Sequence, residues 1–289
     1  MAPLRFLLPL SMPVPDVSDV SVTPPAVAAI AAALDARAGL ACRFDIDVLA
    51  ECDSSNSRLM ARAEAGAPSG TVIVAERQTA GRGRRGRHWT SAPGDSLTFS
   101  LLWRFPPDTA LDGLSLAVGV ALARALEDLG IEGIRLKWPN DVLLHGRKLA
   151  GILIELVSPP RAAQGPAAII GVGLNLRLPA DLPADVRAGA AALAEVTPAL
   201  PDANQLLAAL LAALHAQLEP FATAGFAALR GAWQQRHACA DLSVCLSDDF
   251  NPPRVGICRG VDADGALLLE TPDGLQRIVS GEVSLRPQA

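Results

Sequence analysis

Apolar residues recur along this chain in two spacings, which predict a mixture of helices and strands. Spacings of three and four residues predict helices over residues 24–38, 112–129, 203–218 and 221–235. Shorter apolar or alternating runs predict strands over residues 44–49, 71–76, 97–103, 134–138, 142–144, 148–156 and 167–176. Because both kinds of segment are interspersed, the pattern indicates an α+β fold.

Local signals mark the ends of several of these elements. The cluster Asp53-Ser-Ser-Asn56 contains capping residues and predicts a helix that runs toward Ala65. Pro25 suits the first turn of the earliest helix. His145-Gly146 separates two strands as in a hairpin, and Asn140-Asp141 is expected to form a turn.

The sequence pattern changes near residue 238. Five short alternating segments follow, over residues 242–246, 254–261, 266–270, 276–280 and 283–285, with Asp-Gly pairs between some of them. This pattern predicts a small all-β barrel over residues 238–289, after a larger unit over residues 44–237. Residues 1–43 are predicted to form an N-terminal extension, partly disordered and with one helix.

Composition narrows the functional classes. The chain has 289 residues, half of them hydrophobic, and its net charge of -5 argues against broad nucleic-acid binding. The five cysteines form no C-x-x-C pair, so we expect free thiols in a reducing, cytoplasmic setting. We find no apolar run of about 18 residues and no signal-peptide pattern, so neither a membrane span nor secretion is expected.

The most distinctive segment runs from Gln78 to Trp89. Its seven central residues, Gly81 to Arg87, are all arginine or glycine. Arginines supply fixed charged donors and glycines let the backbone approach an anion, so the segment suits a polyanion, although a solvated basic loop is the alternative. The glycines also match G-x-G-x-x-G, but a strand rather than a helix is predicted next, which argues against a dinucleotide-binding fold.

Two other segments predict a ligand site at one end of the strands. Lys137-Trp-Pro-Asn-Asp141 places a cation, an indole, an amide and a carboxylate at a strand end, where α/β folds bind ligands. Gly171 and Gly173 lie two residues apart and leave one strand face without side chains. An ordinary strand end and a tightly packed sheet are the alternative explanations.

Lys148 lies at the start of a further strand. By the two-residue period it should share an otherwise apolar face with Ala150, Ile152 and Ile154, which indicates an ammonium directed at a ligand. Gly151 in mid-strand indicates close approach of a ligand or another backbone. Together with the glycines and arginines, this lysine suits a nucleotide whose phosphates lie beside a small apolar acid.

These segments together resemble the biotin protein ligases, the biotin–[acetyl-CoA-carboxylase] ligases. The pair G-R-G-R-R-G-R-x-W and K-W-P-N-D is highly specific, and further matching stretches are residues 53–56, 147–155, 171–176 and 259–270. The resemblance spans residues 45–287. It implies a catalytic domain with a mixed β-sheet and flanking helices, similar to class II aminoacyl-tRNA synthetases, followed by an SH3-like β-barrel.

The resemblance also implies a two-step reaction. Biotin and MgATP would give biotinyl-5′-AMP and pyrophosphate, and biotin would then pass to one lysine of the biotin carboxyl carrier protein of acetyl-CoA carboxylase. Biotin, ATP and Mg²⁺ carried mainly by the ATP phosphates are the ligands implied. A monomer or weak homodimer is expected, with neither DNA nor a membrane as a partner.

The family's functional residues map onto three overlapping groups in this chain. The catalytic group is Lys148, Arg84 and Asp141. The biotin-binding group is Ser54, Ser55, Asn56, Gln78, Arg82, Gly83, Arg84, Lys148 and Gly151. The group that binds ATP or the adenylate is Arg84, Arg87, Trp89, Lys137, Asn140, Gly171, Gly173 and Asn175. The arginine segment is expected to be mobile in the free protein and to close over the adenylate.

Departures from the family pattern leave alternatives open. This chain has Ser55 where the biotin-contacting segment commonly has threonine, and residues 189–193 lack the aromatic residue that often stacks on adenine in bifunctional members. Residues 1–43 are too few for a DNA-binding winged helix, which disfavours a biotin-responsive repressor. A lipoate-type ligase is disfavoured because lipoate lacks the ureido group that the polar residues would bind.

Overall fold

Two β-sheets with flanking helices organise the chain, and the computed structural model describes residues 23–157, 165–197, 199–247, 252–279 and 284–287. The α-helices are α1 (Val27–Ala38), α2 (Ser55–Glu64), α3 (Leu114–Asp128), α4 (Ala184–Gly189), α5 (Ala203–Ala224) and α6 (Arg230–Gln235). The strands are β1 (Asp45–Cys52), β2 (Thr71–Gln78), β3 (Ser96–Arg104), β4 (Ile134–Lys137), β5 (Asp141–Leu144), β6 (Arg147–Val157), β7 (Ala167–Asn175), β8 (Ser243–Ser247), β9 (Arg254–Val261), β10 (Leu267–Thr271), β11 (Gly274–Ile278) and β12 (Ser284–Pro287). The predicted disorder at the N-terminus concerns residues that lie almost entirely outside the described ranges.

The larger sheet has the strand order β1-β2-β3-β7-β6-β5-β4. The first two strands are parallel and the remaining neighbours are antiparallel, so the sheet is mixed, as expected. α3 lies against one face, with α5 and α1 behind it, and their apolar side chains form the main core. α2 covers part of the other face.

The face under α2 changes character along the strands, and this change positions the site. Leu102 of β3 and Ile169 of β7 are fully buried beneath α2. Further along the same face, β3 carries Thr98 and Ser100, and β7 carries Gly171 and Gly173. Because side chains alternate along a strand, one face can hold an apolar core at one end and a polar, glycine-lined surface at the other.

The smaller sheet has the order β11-β10-β9-β8-β12 and is antiparallel throughout. It matches the predicted run of short C-terminal strands, apart from small shifts at their ends. Hydrogen bonds join it to the larger unit: Trp138 Nε1 donates to the Gly265 carbonyl at 3.0 Å, beside the Asp-Gly turn between β9 and β10. Ala238 N, before β8, donates to the Leu136 carbonyl at 2.8 Å.

Two predictions about helices are wrong. The segment expected to form helices over residues 203–218 and 221–235 instead forms one helix that continues past Pro220 to Ala224 and stops at Gly225, with φ of 60°. Phe221 is buried, so the apolar face of α5 extends beyond the proline, and a 3₁₀ turn at Phe226–Leu229 precedes α6. Pro25 lies before the N-cap Ala26 of α1, not in its first turn.

α5 is long and apolar enough to cross a membrane by length and composition alone. However, 56% of its apolar stretch is buried inside the molecule, where it contacts α1 and α3. It therefore occupies the position of a core helix.

Candidate functional site

A cavity of about 140 Å³ opens between the α2 face of the larger sheet and the segment Gln78–Trp89. Most of the predicted site residues line it, namely Ser54, Ser55, Asn56, Gln78, Arg82, Gly83, Arg84, Arg87, Trp89, Asn140, Asp141, Lys148, Gly151, Gly171 and Gly173. Lys137 and Asn175 do not line it. Residues from five strands or loops distant in sequence thus converge on one space.

Glycines form the floor of this cavity, and side chains from other segments occupy the space directly above them. Gly151 on β6 lies directly opposite Gly173 on β7. A Cβ atom on Gly173 would lie 2.2 Å from Cε2 of Trp89, and one on Gly171 would lie 2.2 Å from Oδ1 of Asn56. Both distances are far below contact distance, so any larger residue would displace the side chain above it.

The expected neighbours of Lys148 are wrong. The β5–β6 register slips between Val142 and Leu143, where Leu149 is the extra residue of a β-bulge. A bulge puts two residues opposite one and reverses the alternation, so Lys148 lies on the cavity face with Gly151 rather than with Ala150 and Ile152. Its Nζ lies 2.6 Å from Asp141 Oδ1 and 5.9 Å from the centre of the Trp89 ring.

Asp141 is the first residue of β5 rather than part of a free turn. It lies opposite Gly151, which brings its carboxylate to the cavity face. Asn140, expected in the same turn, donates from Nδ2 to the Ile152 carbonyl at 2.7 Å. Its own carbonyl accepts from Ile152 N at 3.0 Å. These hydrogen bonds fix the backbone at the end of the cavity where Asp141 lies.

Buried polar side chains form the opposite end of the cavity. Ser54, Ser55 and Asn56 are each only 3% exposed, at the start of α2. Gln78 Oε1 accepts from Ser55 N at 2.7 Å and from Ser55 Oγ at 3.1 Å. Ser54 is the N-cap residue but its side chain makes no capping bond, so this cluster faces the cavity instead of closing the helix in the expected way.

The arginine segment folds back on itself as an irregular hairpin. Trp89 N donates to the Gly81 carbonyl at 2.9 Å, and Gly83 N donates to the Arg87 carbonyl at 2.7 Å. A single 3₁₀ turn at Arg84–Gly86 forms the tip, with φ of 60° at Arg85. No helix follows before β3, in agreement with the argument against a dinucleotide fold. The indole Nε1 of Trp89 is buried without a hydrogen-bond partner.

The side chain of Asn175 binds backbone carbonyls next to the cavity. Its Nδ2 donates to the Ala191 carbonyl at 3.0 Å and to the Lys148 carbonyl at 3.3 Å. Ala191 N in turn donates to the Lys148 carbonyl at 2.8 Å. These contacts hold the chain after α4 against the start of β6, so Asn175 supports the position of Lys148 from outside the cavity lining.

Sequence reasoning missed two polar residues that line the cavity, His88 and Thr98, and two that contact its polar end, Ser100 and Glu155. Thr98 lines the cavity, and Ser100 is completely buried. Glu155 accepts from Asn56 Nδ2 at 2.8 Å and from Arg82 Nη2 at 2.7 Å. The signal was available in β3, where polar residues alternate with Leu97, Phe99 and Leu101.

Comparisons with known proteins identify the chain. The profile of the Biotin/lipoate A/B protein ligase family matches residues 49–175, and the Biotin protein ligase C terminal domain matches residues 251–286. The first match assigns the chain to a class of ligases, and the matched range contains every residue that lines the cavity. A more specific assignment comes from individual relatives.

Several of those relatives are biotin ligases by name. The Bifunctional ligase/repressor BirA of Escherichia coli is 39% identical over 243 residues, 83% of this chain and 74% of that protein. The Biotin--[acetyl-CoA-carboxylase] ligase of Mycobacterium tuberculosis is 34% identical over 82% of this chain and 88% of its own length. The Aquifex aeolicus biotin protein ligase, solved with biotin and ATP, is 32% identical with a TM-score of 0.74, covering 84% of this chain and 99% of that one. This chain belongs to the biotin protein ligase family.

Proposed function

We propose that this protein joins biotin to ATP to form biotinyl-5′-AMP and then transfers biotin to a lysine of a biotin carboxyl carrier protein. The observation that carries the proposal is a cavity, in a member of this family, that combines a buried polar end, a glycine floor, Lys148 and a hairpin of arginines. Relatives solved with biotin and ATP, or with biotinyl-5-AMP, support these ligands.

In the first step, an oxygen of the biotin carboxylate would attack the α-phosphorus of ATP, and pyrophosphate would leave. Negative charge grows on the phosphoryl oxygens, and fixed cations near them stabilise the transition state most strongly where water is excluded. Lys148 and Arg84, which line the cavity, would supply these cations, and Arg87 would cover the adenylate beside them. Ser55, Asn56 and Gln78 would bind the ureido group.

In the second step, the neutral ε-amine of the carrier lysine would attack the acyl carbon, and AMP would leave. The amine has an ordinary pKa of about 10.4, so a nearby acceptor for its proton helps. Asp141 lines the cavity and would take this role. The orphan Trp89 Nε1 would donate to an adenylate oxygen.

Mg²⁺ would enter with the ATP phosphates. Within the described ranges, no group of three or more His, Cys, Asp or Glu side chains is arranged to hold a metal ion. Proteins usually bind Mg²⁺ through one or two carboxylates together with the phosphates of the substrate, rather than through a cage of protein oxygens alone. The proposal also extends to a class II synthetase-like catalytic domain over residues 44–237, an SH3-like barrel over 238–289, and action in the cytoplasm without DNA or membrane partners.

Mass spectrometry of a purified biotin carboxyl carrier domain tests the whole reaction. After incubation with this protein, biotin and MgATP, the carrier should gain one biotin on one lysine. Replacing biotin with lipoate should abolish both the mass gain and the release of pyrophosphate. Equal pyrophosphate release with lipoate would favour the lipoate-type alternative, which the first family profile also covers.

A further inference from the structure

A line of hydrogen bonds connects the arginine hairpin to the polar end of the cavity through Glu155. One carboxylate oxygen, Oε2, accepts from Arg82 Nη2 at 2.7 Å and from Asn56 Nδ2 at 2.8 Å. Glu155 reaches both partners because β6 places it on the cavity face, in the same alternation as Gly151 and Leu153.

The line continues from Asn56 to the base of the hairpin. Ser100 Oγ lies 2.5 Å from Asn56 Oδ1 and 2.7 Å from Ser55 Oγ. Ser55 N donates to Gln78 Oε1 at 2.7 Å. Gln78 N donates to Ser91 Oγ at 2.8 Å, so the line meets the chain on both sides of the hairpin.

The pairing of Glu155 with Arg82 differs from an isolated surface ion pair. The side chain of Glu155 is 24% exposed, whereas that of Arg82 is 44% exposed. An exposed pair alone contributes little to stability. Here the same oxygen also fixes the amide of Asn56, which is almost fully buried. Groups in one hydrogen-bond network respond together when one is changed.

We propose that Glu155 is a positioning residue that couples the polar end of the cavity to the placement of the arginine hairpin. The coupling rests on the proposed function, because the ligand that engages Asn56 would be biotin. A ligand bound to Asn56 holds its amide toward Glu155, Glu155 holds Arg82, and the hairpin stays over the reaction product. Loss of the carboxylate charge frees Arg82 while the floor of the cavity keeps its shape.

The test uses Glu155→Gln, which preserves size and one acceptor oxygen. From preformed complexes, release of biotinyl-adenylate should be about threefold to tenfold faster than in the wild type. The dissociation constant for biotin alone should change less than about twofold, because Ser55 and Gln78 remain in place. Arg82→Gln should speed the release of adenylate by a similar factor, and the double variant should release it no faster than the faster single variant.

Glu270→Gln is the matched control. It breaks another glutamate–arginine pair, with Arg259, at 2.6 Å and similar arginine exposure, but between strands of the smaller sheet and outside the residues that line the cavity. It should release the adenylate at the wild-type rate. Thermal unfolding of all variants shows that any change in release occurs in folded protein.

Hydrogen exchange separates this inference from the proposed function. In the ligand-free protein, amides of residues 81–87 should exchange faster in Glu155→Gln than in the wild type. Unchanged exchange with unchanged release, or effects of the two single variants that multiply in the double variant, overturns the role of Glu155. A wild type that forms no adenylate overturns the proposed function, and the exchange comparison still decides whether Glu155 holds Arg82.

Discussion

The ammonium of Lys148 lies 2.6 Å from Oδ1 of Asp141 across the β5–β6 hairpin. The two groups are at ion-pair distance, yet Asp141 Oδ1 is buried and makes no bond of good hydrogen-bond geometry. Attraction between them is therefore mainly electrostatic. An incoming carboxylate or phosphate oxygen would compete with Asp141 for the same ammonium, which would leave the aspartate available as a proton acceptor.

Removal of the ammonium should chiefly affect the first chemical step. Lys148→Ala should slow adenylate formation by at least about 10²-fold, the scale for loss of one charged contact to a transition state. The measurement is biotin-dependent pyrophosphate release. Arg135→Ala, which removes an exposed cation of neighbouring β4, serves as the control. A near-normal rate in Lys148→Ala would remove this lysine from the mechanism.

Substitution at the tip of the hairpin should loosen the hold on the intermediate. Arg84→Gly should raise the rate of adenylate escape more than it weakens the binding of biotin, because the arginine would cover the phosphate end. Escaped adenylate would acylate nearby lysines indiscriminately. Adenylate dissociation and biotin on a bystander protein are the measurements. If the variant retains adenylate as long as the wild type, the hairpin does not act as a cover.

The glycine floor should not tolerate even one methyl group. In Gly173→Ala the new Cβ would meet the Trp89 indole at 2.2 Å and push it into the cavity. We expect adenylate formation to fall by about 5-fold to 150-fold, which corresponds to the roughly 1–3 kcal/mol that overpacking costs. Gly189→Ala is the control, because its Cβ would meet nothing within 4 Å. Equal activity of both variants would contradict a tightly occupied floor.

Acid should destabilise the protein through His237, which follows α6 and pairs with Leu136 of β4. Burial lowers the pKa of His237 to about 4, and the ring lies 4.5 Å from that of Trp233. The unfolded chain binds this proton near pH 6.5, so stability from the neutral ring is complete above that pH and is lost as pH falls toward 4. The loss should approach about 3 kcal/mol.

Chemical denaturation at a series of pH values measures this effect. His237→Gln should lower stability at pH 7 but should also flatten its decline between pH 6.5 and 4. The same decline in both proteins would assign the acid sensitivity between pH 6.5 and 4 to groups other than His237.

Sequence patterns predicted most of the fold because alternation and capping are local properties. The strands of both sheets and the hairpin at His145-Gly146 follow from spacing and turn residues alone. The orientation of Lys148 did not follow, because a bulge depends on how β5 and β6 pair, not on either strand by itself. The continuation of α5 past Pro220 likewise depends on the buried surroundings of Phe221.

The residues of the candidate site could be predicted from the sequence, but most of the hydrogen bonds between them could not. The motifs identified the residues that meet in the cavity, since arginines, glycines and a lysine at such spacings serve few structural purposes. Asn175 was expected to bind the adenylate, and that role stays a prediction; its Nδ2 donates to the Lys148 carbonyl, a contact that the sequence did not indicate. Glu155 was missed because a single glutamate in a strand has no sequence signal until its partners, 73 and 99 residues away, are in place.

The backbone bonds across the arginine hairpin have a consequence for the conformational entropy of ligand capture. Backbone hydrogen bonds link Gly81 to Trp89 and Gly83 to Arg87, so the two sides of the segment are already held together. Fixing one free residue costs about 1–2 kcal/mol. A hairpin that pivots as one body loses far fewer degrees of freedom than a coil of equal length, so more of the ligand's contact energy remains as affinity.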